Sequence, residues 1–142
     1  MVRKFENKDL DAVMNIWLKT NIAAHDFISE NYWQENFEPV KKMLPDATIY
    51  VYEENHIILG FIGLSESYIA GIFIDTNFQS KGIGKALLDY VKKSHTGLSL
   101  QVYKRNSRAV SFYLRENFVI SKEQVDENTG ETELVMNWEN MF

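Results

Sequence analysis

The chain contains no cysteine, which removes disulfides, thiolate metal sites and cysteine nucleophiles together. It has only two prolines, so little interrupts its periodic segments. No apolar run approaches the roughly 20 residues that a membrane-crossing helix needs. The opening MVRKFENKDL lacks the apolar core of a secretory leader. No membrane partner is expected, and the cytoplasm is the expected location. Basic residues are also in deficit, 15 against 20 acidic, for a net charge of −5. Domains that grip nucleic acid are usually basic, so no nucleic-acid partner is expected.

What remains is ordinary for a folded protein. With 142 residues, 45% hydrophobic and 25% charged, the chain is expected to form one domain over residues 1–142. Val2 to Phe5 suits a short strand. Asn7 can cap a helix whose Leu10, Val13, Met14, Trp17 and Leu18 form one stripe. Asn21 to Phe27 reads as a loop. Ser29 can cap a second helix carrying Trp33, Phe37, Val40 and Leu44, with a kink or break expected near Glu38 because of Pro39. Three β-rich runs follow: Thr48 to Tyr52, Ile57 to Leu64, and Tyr68 to Ile74, the last apolar on both faces as a covered central strand would be. Later come a strand at Leu98 to Tyr103, a short helix capped by Asn106, a strand from Asn117, and a last strand in which Leu134, Met136 and Trp138 alternate with polar neighbours. The expected fold is α/β, a mixed sheet of about seven strands with helices on both faces, in the order β-α-α-β-β-β-α-β-α-β-β.

The stretch Ile72 to Val91, IFIDTNFQSKGIGKALLDYV, organises the rest. An apolar run leads through a polar turn into a helix whose Ile83, Ala86, Leu87, Tyr90 and Val91 lie at the spacing of one buried face, and Gly97 can end it. Between them lies Gln79-Ser80-Lys81-Gly82-Ile83-Gly84. Main-chain amides at a glycine-bearing helix start are suited to an anion such as a phosphate. The stretch is neither a P-loop, since Gly84-Lys85 is followed by Ala86, nor a dinucleotide fingerprint, since Leu87 stands where the third glycine belongs.

Gln79 to Gly84 matches the [RQ]-x-x-G-x-[GA] motif of the GCN5-related N-acetyltransferases, the GNAT superfamily. Asn106 to Phe118, NSRAVSFYLRENF, resembles that family's N-x-x-A-x-x-F-Y-x-x-x-G-F block, with Asn117 in place of the glycine. Asparagine is the best substitute for glycine in a left-handed helix end. His25-Asp26-Phe27-Ile28 with Tyr32-Trp33 is similar to the N-terminal half of small bacterial members.

The resemblance implies an acetyl-coenzyme A site. The pyrophosphate would fall to Gln79, Ser80, Lys81, Gly82, Ile83 and Gly84, with Lys85 and Ala86 close behind. Ile72, Phe73 and Ile74 would run beside the pantetheine arm. Asn106 would contact the donor as well as cap its helix. Tyr113 stands where the family often has the general acid that reprotonates the departing thiolate. Glu66 and Tyr68, at the start of the central strand, are further catalytic candidates. His25, Phe27, Trp33 and Tyr68 are candidates for the acceptor cleft. His56 and His95 form no metal-ligand spacing, and no metal is expected.

The expected activity is transfer of an acetyl group from acetyl-CoA to a primary amine, of a protein or a small molecule, by direct attack in a ternary complex, since no cysteine can carry an acyl-enzyme. A non-catalytic acyl-CoA-binding sensor or interaction module is the alternative. A monomer and a homodimer both suit this reading.

Overall fold

The computed structural model describes residues 1–140. Its elements are β1 (Val2–Lys4), α1 (Leu10–Ala24), α2 (Glu30–Met43), β2 (Thr48–Glu54), β3 (Ile57–Ser65), β4 (Tyr68–Ile74), α3 (Ile83–Lys92), β5 (Gly97–Tyr103), α4 (Ser107–Arg115), β6 (Val119–Val125) and β7 (Thr132–Glu139). This is the expected order, with short 3-10 turns added at Asn7–Asp9, Leu44–Asp46 and Thr76–Phe78. The strands form one sheet in the order β1-β2-β3-β4-β5-β7-β6. Every neighbouring pair is antiparallel except β4 and β5, which run parallel because α3 carries the chain between them.

Alternation along the strands sends apolar side chains to both faces, and each face has its own core. Val13, Met14, Ile16 and Trp17 of α1 pack with Trp33 of α2 against Ile49, Val51 and Phe61. On the other face Leu87, Leu88 and Val91 of α3, with Tyr113 of α4, pack against Ile62, Ile69, Leu100 and Met136. The buried stripe of α3 is rotated from the expected one: Leu88 is covered and Tyr90 exposed, its ring 4.9 Å from that of Tyr50.

Several local expectations are corrected. The helix start is closed by Glu6 and Asp9 in a reciprocal capping box rather than by Asn7. Asp9 is also gripped by both terminal nitrogens of Arg3, at 2.8 and 3.0 Å, which ties β1 to α1. Helix α1 continues through Asn21 to Ala24, because Thr20 Oγ1 and Asn21 Nδ2 donate to the carbonyls of Ile16 and Trp17. Ser29 does cap α2, accepting from the Asn31 amide at 3.3 Å. The helix passes through Pro39 without a break, since Glu35, Glu38 and Pro39 lie on its exposed side and water can take the freed carbonyl. Gly97 opens β5 instead of ending α3.

Leu87 has no accessible surface and stands at the centre of the α3 face. Leu87→Ala is expected to cost about 2–5 kcal/mol of unfolding free energy, read from the urea midpoint at constant m-value.

Candidate active site

The β4–β5 pairing is short. It holds only at Tyr68↔Ser99 and Ile69↔Leu100, whereas β5 pairs with β7 from Gly97 to Tyr103. The register between β3 and β4 also slips, Leu64 facing Ile69 and Gly63 facing Gly71, so that Ala70 is the extra residue of a bulge. A bulge turns the strand and increases its twist. Beyond it β4 and β5 diverge, and a cavity of about 710 Å³ opens between residues 70–74 and 101–103. For this reason β4, although central in the sheet, is only partly buried from Ala70 to Ile74.

On the α3 face the cavity meets the glycine turn. Ser80 and Gly82 both have left-handed backbones, at φ 65° and 82°. The first helical hydrogen bond of α3 runs from the Ala86 amide to the Gly82 carbonyl, at 3.0 Å. The amides of Ile83, Gly84 and Lys85 therefore precede the hydrogen-bonded ladder, at the positive end of the helix dipole. Gln79 holds the turn against β4 by donating to the Ile74 carbonyl at 3.2 Å. Arg108 of α4 reaches across and donates to Ser80 Oγ at 2.7 Å. The lysines are engaged elsewhere: Lys85 bridges Glu116 and Asp89, and Lys81 lies over the Phe78 ring. A Cβ on Gly84 would stand 3.4 Å from the Phe112 ring, in ordinary van der Waals contact, so a longer side chain here would have to turn away from Phe112.

Tyr113 lines the cavity from α4, its ring edge-on to Phe112 and Phe118. Its hydroxyl has no hydrogen-bond partner among the described residues, yet it is not among the fully covered polar atoms, so it opens into the cavity. Burial, and secondarily the phenol of Tyr68, holds its pKa well above that of a free tyrosine. Phe118 follows Asn117, whose φ of 73° is the left-handed helix end anticipated for the glycine position.

On the α1/α2 face the wall is made by His25 and Trp33, stacked with ring centroids 5.2 Å apart. His25 Nδ1 meets the Asn21 carbonyl at 3.0 Å, which assigns the proton to Nδ1. Nε2 is then the acceptor for Asn106 Nδ2 at 3.3 Å. Asn106 Oδ1 in turn accepts from the Ala109 amide at 3.2 Å, capping α4. Burial lowers the His25 pKa, favouring this neutral form. His25 thus fastens the end of α1 to the start of α4, and its lone pair is already used.

Of the residues singled out from the sequence, the cavity gathers His25, Trp33, Tyr68, Ile72, Phe73, Ile74, Gln79, Ser80, Gly82, Ile83, Gly84, Lys85, Asn106 and Tyr113. Four lie outside its lining. Phe27 sits behind the wall, edge-on to His25 and Tyr103. Lys81 and Ala86 flank the glycine turn without lining the cavity. Glu66 is exposed in the β3–β4 turn at φ 55°, with its carbonyl 3.2 Å from His95 Nε2. The sequence reading missed Arg108, Gln101, Tyr103 and Glu133, all of which line the cavity. No group of side chains suited to a metal ion occurs among the described residues, and no helix among them is long and apolar enough to cross a membrane.

A sheet parted beside a main-chain anion cradle, with a buried phenol at the gap, defines an acyltransferase-like site. The chain matches the family model of the acetyltransferase (GNAT) domain over residues 18–139, and it belongs to that family. It is 33% identical over 140 residues to the peptidyl-lysine N-acetyltransferase YiaC of Escherichia coli strain K12, covering 97% of this chain and 96% of that protein. The solution structure of apo-form YjaB from Escherichia coli superposes with a TM-score of 0.86 at 26% identity, over 97% of this chain and 96% of that one. A putative streptothricin acetyltransferase from Bacillus anthracis str. Ames, solved in complex with acetyl coenzyme A, matches with a TM-score of 0.61 at 25% identity over 66% of this chain and 62% of its own.

Gly84→Glu would drive a bulky anion into the mouth of the cradle. The expected result is loss of the acetyl-CoA thermal shift, with an unchanged circular dichroism spectrum.

Proposed function

We propose that this acetyltransferase passes the acetyl group of acetyl-CoA to the side-chain amine of a peptidyl lysine. The observation that carries the reading is the parting of β4 from β5 with the Tyr113 hydroxyl opening into the gap. The unpaired edge of Ala70 to Ile74 offers main-chain groups to a pantetheine arm, as an added strand would use them. The amides of Ile83, Gly84 and Lys85, with Arg108 beside them, suit the diphosphate. The lysine acceptor rests on the peptidyl-lysine N-acetyltransferase YiaC, to which this protein is similar along nearly the whole chain.

Acetyl-CoA supplies an activated thioester, and the protein's work is placement and charge control. The acceptor approaches from the α1/α2 face, over Tyr68 and beneath His25 and Trp33. Its nitrogen needs a free lone pair to attack. As the carbon–sulfur bond breaks, negative charge gathers on sulfur beside the Tyr113 hydroxyl, which donates its proton; the proton that the nitrogen loses on forming the amide passes to water, and the phenol is restored from water. The raised pKa of that phenol keeps it protonated throughout the neutral range. The thiolate forms in the same dry surroundings, so burial raises its proton affinity along with that of the phenol. His25, with Nε2 bound to Asn106, acts by holding the wall rather than by proton transfer.

Thiol release from acetyl-CoA over a panel of lysine peptides tests the acceptor. Turnover on lysine peptides supports the reading; saturable acetyl-CoA binding with no turnover on any amine would instead favour the acyl-CoA-binding module. Tyr113→Phe is expected to lower kcat by about a hundredfold, the low end of general-acid effects, with acetyl-CoA affinity little changed. An unaltered kcat across the pH range would remove Tyr113 from the mechanism.

A further inference from the structure

The cavity has opposite charges at its two ends. At the α3/α4 end stand Arg108 and the Lys85–Glu116 pair. At the other end stands one carboxylate, Glu133 of β7. Strand register fixes its direction. Tyr68 pairs with Ser99, Tyr103 with Glu133, and Glu133 with Gln124. Directly paired residues share a face and residues two apart on a strand share a face. Tyr68, Gln101, Tyr103, Glu133 and Gln124 therefore lie on one side of the sheet, the side on which Tyr103 meets His25 at 5.2 Å between ring centroids. That is the acceptor side.

Glu133 is held but not neutralised. Gln124 Nε2 donates to its Oε1 at 2.7 Å, which fixes the carboxylate. Oε2 has no hydrogen-bond partner, and no cation forms an ion pair with Glu133 among the described residues. That oxygen is left open to a cationic donor. Its charge acts on Tyr68 and Tyr32, opposing ionisation of both phenols after the larger effect of burial. Tyr68 in turn acts on Tyr113. On the wall of the same chamber, the buried Trp33 Nε1 has no partner either.

We propose that Glu133 is the anchor for the acceptor's ammonium group, and so selects cationic primary amines over neutral ones. On arrival the ammonium would donate to Oε2, with the phenol of Tyr68 beside it and the acceptor's aliphatic stem along the Tyr103 and Trp33 rings; it gives one proton to water before its nitrogen attacks as the neutral amine. The proposal deepens, and in its lysine substrate rests on, the function proposed above. It assigns Glu133 to positioning and specificity; the proton donor remains Tyr113.

The test uses the full chain saturated with coenzyme A and n-butylammonium as the probe, followed by calorimetry, together with steady-state kinetics on a lysine peptide. Glu133→Gln keeps the shape and leaves an oxygen for Gln124. It is expected to weaken n-butylammonium binding and to raise the peptide KM by about tenfold, the loss of one charged hydrogen bond. Acetyl-CoA affinity and thermal midpoint should not move, and Glu133→Asp should recover part of the loss. Equal binding by wild type and Glu133→Gln, or no n-butylammonium binding to the wild type, would overturn the proposal. Glu133-dependent binding without acetylation of any lysine peptide would retire the lysine reading and leave the ammonium site standing. Peptide turnover with a KM indifferent to Glu133 would do the reverse.

Discussion

Everything functional in this fold depends on one failure of pairing. A strand in the middle of a sheet normally satisfies its backbone on both edges, and β4 does so on the β3 side along most of its length. On the β5 side it pairs at two positions and then stops. The sheet tolerates this because β5 is secured independently by its full ladder with β7, and because α3 and α4 pack over one face while α1 packs over the other. The bulge at Ala70 starts the divergence, and the two cores prevent it from spreading. What results is an edge strand inside a protein, a backbone surface that a ligand can complete.

The gap also joins the two faces, and this explains how the substrates are kept apart until they meet. On the proposed reading an anionic donor would be met on the α3/α4 side by free amides and Arg108, and a cationic acceptor on the α1/α2 side by aromatic rings and Glu133. The charges lie at opposite ends of one cavity, so each substrate is favoured at its own end. Tyr113 and Tyr68, from α4 and β4, both line this cavity, and the phenol of Tyr68 adds to the raised pKa of Tyr113. The chain from Asn21 through His25 and Asn106 to Ala109 holds the two halves in register.

The parts of this arrangement that show in the sequence are those in which a residue type is forced by backbone geometry. Gly82 sits at φ 82°, a conformation that L side chains rarely adopt. A main-chain anion cradle needs such a residue, so the turn can be read directly. Asn117 is legible for the same reason. Glu133 is not: strand alternation marks it only as a polar position, and its meaning depends on pairing with Tyr103, 30 positions earlier in the sequence. Arg108 is hidden in the same way, since its contact with Ser80 spans two elements. At Asn21 polarity misleads. It reads as the beginning of a loop, but its amide turns back to the Trp17 carbonyl and the helix continues. Glu66 stands near Tyr68 in sequence, yet the turn faces it away from the cavity.

The central claim is that the donor completes the open edge of β4. Amide hydrogen exchange, followed residue by residue with and without acetyl-CoA, tests it most directly. The account predicts slowed exchange at Ile72 and Ile74, whose amides alternate away from β3, and at Ile83 to Lys85, with little change at β2 amides whose ladder is already complete. Slowing confined to other strands, or none in these two segments at saturating acetyl-CoA, would contradict it.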